Sequence, residues 1–351
     1  MHRLALTFVI AALSTGCLQT RYLAQAACGQ FDLMNRAEPI PIVLHRNDVS
    51  PHVREVLRQA RPIKDWGKTR GLTPSDSYEK YADLHREAAV WVVQAAPRLS
   101  LTPKTWWFPF VGSVPYLGYF HEKAAHDFAD KLAASQPLDV DVREADAYST
   151  LGVLSDPVLS TMISAGPEAL GDFANIILHE SVHATVYVGG QSAFNESLAS
   201  FVADRLTPVW LEETFGKDDE RTAKWIATEQ WREQRVERML QARKELVELY
   251  GGTLSDDEKL AAKTRILDVL RSELRTKRMI NNATLAGMHT YGVGKDAFSK
   301  LYETCGKAWP RFLGAISTLK NGDFPEPQSR AFEPVIDALS ARGCPEHVTR
   351  E

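Results

Sequence analysis

The sequence predicts a mainly helical α+β protein, and three observations carry that reading. Apolar residues recur at helical spacing through most of the second half of the chain. A short block over 105–151 reads instead as strands and loops. The 351 residues are 44% hydrophobic and 25% charged, enough to bury one large core or two ordinary ones. The net charge is −4 and no Lys/Arg-rich patch stands out, which sets a nucleic-acid partner aside.

The elements follow in order. Met1-His2-Arg3 is weakly basic, Leu4 to Leu13 is apolar, and Ser14-Thr15-Gly16-Cys17 follows, which is the layout of an export signal. The apolar run is too short for a mature bilayer span, which needs ~20 residues. Its small-Gly-Cys ending resembles the lipobox of bacterial lipoproteins, in which the chain is cut before the cysteine and the cysteine is lipidated. That resemblance implies a signal peptide over 1–16, a mature chain over 17–351 and a lipid anchor on Cys17. Leu18 after the cysteine implies the outer membrane, with the protein facing the periplasm of a bacterial cell envelope. An ordinary cleaved signal with a chance cysteine is the alternative. Cys28, Cys305 and Cys344 then remain, so at most one bridge forms within the chain. Cys305 and Cys344 are a candidate pair in an oxidising compartment, and free buried thiols are the other option.

Residues 20–36 read as a short helix. Tyr78, Tyr81, Leu84, Ala88 and Val92 recur at helical spacing behind Ser75 and Ser77, so a helix is expected from Ser75 to about Pro97. Thr105 to Gly112 is dense in aromatics and Pro/Gly and reads as strand and loop. A helix is expected over His121 to Ser135, a strand over Leu138 to Val142, and a continuation of the sheet over Ala147 to Leu151. Pro167 opens a strong helix to about Val188, ended by Gly189-Gly190, and a second helix covers Phe194 to about Leu206. The charged stretch over 209–278 reads as a long helical hairpin split at Gly251-Gly252. Helices over Asn281 to Leu319 and Pro334 to Ala341 complete the chain.

The chemistry concentrates in His179-Glu180-Ser181-Val182-His183. Histidines one helical turn apart share a face, so both imidazoles can meet one metal ion. Glu180, beside the first, can reach a water at that ion. This is the HExxH arrangement of two zinc ligands and a general base. A catalytic zinc needs a third protein ligand and an open fourth position. A third histidine six residues after His183 would mark the metzincins, but Gly189 stands there. Glu196, across the Gly189-Gly190 turn, is the candidate third ligand, and Asn195-Glu196 resembles the Asn-Glu pair of the gluzincin peptidases. Asp204 lies on the same helix face and can orient a ligand histidine or be a solvated acid. For the donor to a reaction oxyanion, Tyr291 is favoured over His289, Tyr148, Tyr116 and Tyr119.

Pro115-Tyr116-Leu117-Gly118-Tyr119-Phe120, Ala147-Tyr148-Ser149-Thr150-Leu151-Gly152, the HESVH stretch, Phe194-Asn195-Glu196-Ser197 and Asn281-Asn282-Ala283 succeed one another in that order. The set resembles a family of bacterial predicted aminopeptidases, lipoprotein-like and bearing HExxH, over most of the mature chain. The resemblance implies a zincin-like metallopeptidase core, with a small sheet before the HExxH helix, and a peptide substrate. Two rivals remain. One is a zinc endopeptidase or amidase of the cell envelope. The other is a non-catalytic envelope binding protein whose zinc is structural.

Overall fold

The computed structural model describes residues 2–108, 112–147, 155–290, 293–327 and 329–344, and side chains from residue 19 onward except those of 289 and 290. Cys17's side chain, Tyr148 and Tyr291 therefore lie outside what is described, as does most of the expected Ala147–Leu151 strand. The architecture is mainly helical with small sheets, as α+β requires. Among the described residues, no helix is long and apolar enough to cross a membrane. The chain forms two compact units, each assembled from three segments.

One unit comprises Met1–Ala37, Ala82–Tyr148 and Arg235–His289. Its centre is a three-stranded antiparallel sheet with Val90–Pro97 in the middle, flanked by Leu117–Tyr119 and Leu138–Ala145. This corrects the expected helix from Ser75 to about Pro97. Val90, Trp91, Val92 and Val93 are β-branched or aromatic and suit a pleated surface. The strand has partners along both edges and is buried almost throughout, so the alternation that marks a half-exposed strand is missing. Upstream, Tyr78 and His85 take left-handed backbone angles that no helix passes through. Trp106–Phe108 pairs with Gly112–Val114 as the reading of strand and loop expects. The Glu122–Ser135 helix and the Leu138–Ala145 strand stand where the sequence places them. Residues expected as a short helix over 20–36 belong to one longer helix, His2–Arg36.

The other unit comprises Glu38–Tyr81, Ser149–Gln234 and Thr290–Glu351. The HExxH helix, Ala169–Thr185, buries Leu170, Phe173, Ala174, Ile177, Leu178, Ser181 and Val182, a stripe at i, i+3 and i+4. Gly67, on the Ala60–Thr69 helix, lets that helix approach closely: a Cβ there would stand 3.2 Å from Leu178 Cδ2. The next helix, Ser192–Phe215, runs nine residues beyond the expected end at Leu206 and passes through Pro208. Proline removes one backbone hydrogen bond. The helix persists because Trp210 and Leu211, just beyond, are wholly buried. Gly216, at φ +97°, ends it, so the hairpin expected over 209–278 begins at the Glu220–Gly251 helix and closes with Asp256–Glu273. Phe194 and Phe201 meet Phe298, and Phe312 and Phe332 also pack on Phe298. Cys305 and Cys344 are disulfide-bonded, with Cα atoms 5.1 Å apart, and Cys28 is free and exposed.

Candidate metal centre

The HExxH helix ends sooner than the sequence suggests. Val186 takes extended backbone, four residues before the Gly190 turn, which sits at φ +81°. A side chain fastens the turn. Asn195 is buried; its Nδ2 donates to Val188 O at 2.9 Å and its Oδ1 accepts from Val188 N at 2.9 Å. Gln191, also buried, donates to Asn321 Oδ1 and to Glu326 O. Both backbone groups of Val188 are thus satisfied inside the protein. The second helix is held against the first with Glu196 directed at the histidines.

His179 Nε2 lies 3.2 Å from Glu196 Oε2 and 3.2 Å from His183 Nε2. His183 Nε2 lies 3.4 Å from Glu196 Oε1. The imidazoles stand edge to face with centroids 4.8 Å apart. Among the described residues, these three form the group of His, Cys, Asp or Glu donors close enough to share a metal ion. Donors on a tetrahedral zinc ion at ~2.0–2.1 Å stand about 3.3–3.4 Å from one another. The observed spacings match that value, so the donor set fits such an ion. The imidazoles are about one-fifth exposed and the Glu196 side chain 52% exposed, so one side of the group is open to solvent.

The electrostatics follow from the same crowding. Burial raises the Glu196 pKa, but hydrogen bonds to His179 and His183 and their charges overturn this and hold it well below the usual carboxylate range. Burial lowers the His183 pKa; the hydrogen bond and charge of Glu196, with the charge of Glu180, outweigh it and leave it raised. Glu180 is raised by burial despite both histidines. Its carboxyl therefore holds a proton more readily than an exposed glutamate. Asp204 accepts from Asn175 Nδ2 at 3.0 Å and lies near enough to His179 to interact with its charge. Asn175 precedes His179 by one helical turn, so Asp204 braces that face of the helix.

Sequence reasoning missed Tyr78. It is buried, and burial and then the nearby charge of Glu180 hold its hydroxyl pKa well above the ordinary value; no motif or spacing marks it. Of the tyrosines weighed as donors, Tyr119 is a packed aromatic against Tyr22 and Phe128, and Tyr116 is half exposed, both in the other unit. Tyr187, one turn after His183, stands edge to face with its ring and is 54% exposed.

A family model described as Putative aminopeptidase matches residues 21–330. The chain belongs to this family. Comparison with curated proteins and with solved structures gives no match. The family's description points to a peptidase, which acts on peptides.

Proposed function

We propose that the chain is a zinc-dependent aminopeptidase with a zincin-like core. The observation that carries this is the convergence of His179, His183 and Glu196 on one point, with Glu180 beside the first histidine. His179 and His183 would hold the ion through Nε2, and Glu196 through its carboxylate. Zinc held there would polarise the scissile carbonyl and make water a nucleophile near neutral pH.

Glu180 takes the proton from the attacking water and returns it to the leaving amine as the C–N bond breaks. A carboxylate whose pKa is raised by burial suits both halves of that transfer. The open side of the donor group leaves room for water and substrate, as a catalytic rather than a closed structural site needs. The family's description supports the exopeptidase reading. Lipidation at Cys17 and residence at the outer membrane facing the periplasm belong to the same proposal and rest on the N-terminal sequence.

The test uses protein lacking residues 1–17, with matched free and N-blocked peptides and elemental analysis of metal. Glu180→Gln is expected to keep zinc and lose turnover by about a thousandfold or more, and Glu196→Ala to lose zinc. Cleavage of free peptides alone supports an aminopeptidase. Cleavage of blocked peptides supports the endopeptidase rival. Bound zinc with no cleavage of either peptide would support the non-catalytic binding protein with structural zinc, and absence of metal after zinc is added back would overturn the zinc hydrolase reading.

A further inference from the structure

The helix that carries Cys17 is fastened to its own unit from Gln19 onward. Gln19 donates from Nε2 to Trp107 O at 2.9 Å. The Tyr22 hydroxyl accepts from Gly118 N at 3.1 Å, and its ring packs on Phe108 and Tyr119. Gln25 donates from Nε2 to Gly118 O at 2.9 Å and accepts at Oε1 from Phe120 N at 3.3 Å. Residues 19, 22 and 25 share one helix face, so the helix lies along Trp106–Phe108 and Leu117–Tyr119. Strand alternation turns Trp106 and Phe108 into the core and leaves Trp107 60% exposed. Tyr116, immediately before Leu117, is 49% exposed. The charges are uneven in the same places. Asp and Glu make up 45 of the 351 residues, yet none occurs over 17–31 or 99–121, where the Lys and Arg are Arg21 and Lys104. Such segments can meet anionic phospholipid headgroups without repulsion.

We propose that Trp107 and Tyr116 form a membrane-docking face: with Cys17 anchored, both rings enter the headgroup layer of a phospholipid bilayer and hold this unit against its surface. This rests on the lipoprotein reading above. A helix rises 1.5 Å per residue, so Gln19 lies about 3 Å along the axis from Cys17. The headgroup layer is ~5–8 Å deep on each side of the hydrocarbon. A lipid on Cys17 therefore brings Gln19, and with it Trp107, to that layer. Tryptophan and tyrosine are the side chains that favour it, because each joins an apolar ring to one polar group.

The test uses the mature chain, residues 17–351, with Cys28→Ser so that Cys17 is the free thiol to which one myristoyl-length chain is coupled. A single chain of that length binds membranes marginally and reversibly, so a second contact can be read on top of it. Partition onto vesicles of phosphatidylethanolamine and phosphatidylglycerol is measured by sedimentation. Trp107→Ser combined with Tyr116→Ser is expected to lower the partition coefficient about tenfold or more, and each alone by less. Trp231→Ser, which removes a tryptophan 55% exposed in the other unit, should change it less than about twofold. Both rings of the face are exposed, so the urea midpoint should not move. Partition of the double variant equal to that of the wild type, or an equal loss in Trp231→Ser, would overturn the proposal. The mass of the N-terminal peptide from chain purified out of bacterial membranes tests the anchor separately. An unmodified Cys17 there would sink the lipoprotein reading, while the coupled chain still decides the docking face.

Discussion

Two helical hairpins in this molecule are built alike and do opposite things. In the first, Ala169–Thr185 and Ser192–Phe215 bury nearly all of their apolar residues, and the turn is fastened by the buried Asn195. In the second, the part over 235–273 keeps only a thin apolar seam, with Ala242, Leu246, Leu267 and Leu270, and a capping box of Ser255 and Glu258 opens the return helix. Acids and bases abound in both. In the second they pair at the surface, as Arg271 does with exposed Asp268. In the first, burial leaves the polar side chains of one face with one another as neighbours, and His179, His183 and Glu196 meet. Reactive geometry here is a product of packing, since the same residue types in water remain screened and independent.

The comparison can be broken most severely through protons. In the metal-free protein the raised His183 pKa favours the imidazolium. The stability that imidazolium contributes is complete below the ordinary histidine range and is lost as pH rises through the raised value. Zinc needs the neutral ring, so the sign for binding is the reverse: affinity grows as pH rises. Chelator competition should find zinc bound about tenfold or more tightly at pH 8 than at pH 6. Glu196 works at the other end. Its depressed pKa supports metal-free stability above the ordinary carboxylate range, and that support is lost as pH falls through the depressed value.

Asn195→Ala strikes the turn itself. It takes the Asn195 partner from the Val188 N–H and from its C=O, which keeps Gln191 N, and a loss of roughly 1–3 kcal/mol is expected in urea unfolding, together with weaker zinc binding. Zinc binding at wild-type strength in this variant would show that Glu196 does not depend on that fastening. A milder contrast pits glycine against glycine. A Cβ at Gly171 in the first hairpin would stand 2.1 Å from the buried Trp225 ring, whereas one at Gly251 in the second meets nothing within 4 Å. Gly171→Ala should therefore cost about 1–3 kcal/mol of stability. Gly251→Ala should be neutral or gain up to ~1 kcal/mol, as a helical glycine replaced without a clash does.

Much of the first hairpin is legible without coordinates. The helix period places His179 and His183 on one face with Glu180 next to the first, and a short turn returns Glu196 toward them. Its boundaries are less so. The helix stops at Thr185 rather than near Val188, because residues 186–190 are shaped by Asn195 and Gln191 as much as by the two glycines. Pro208 looks like a stop and is carried through by buried Trp210 and Leu211.

What the sequence by itself determined is local: helix periodicity, turn chemistry, and the spacing of ligand-type residues along one helix, all governed by neighbours a few positions away. Tertiary structure alone decided the rest. Val90–Pro97 became a strand because Leu117–Tyr119 and Leu138–Ala145 supply its hydrogen bonds. Tyr78 takes left-handed backbone because Lys64 and Asp156 hold that stretch in a conformation that its own side chain disfavours. In both places the partner lies elsewhere in the chain, and the free energy that selects the conformation is paid out only when the fold brings it near.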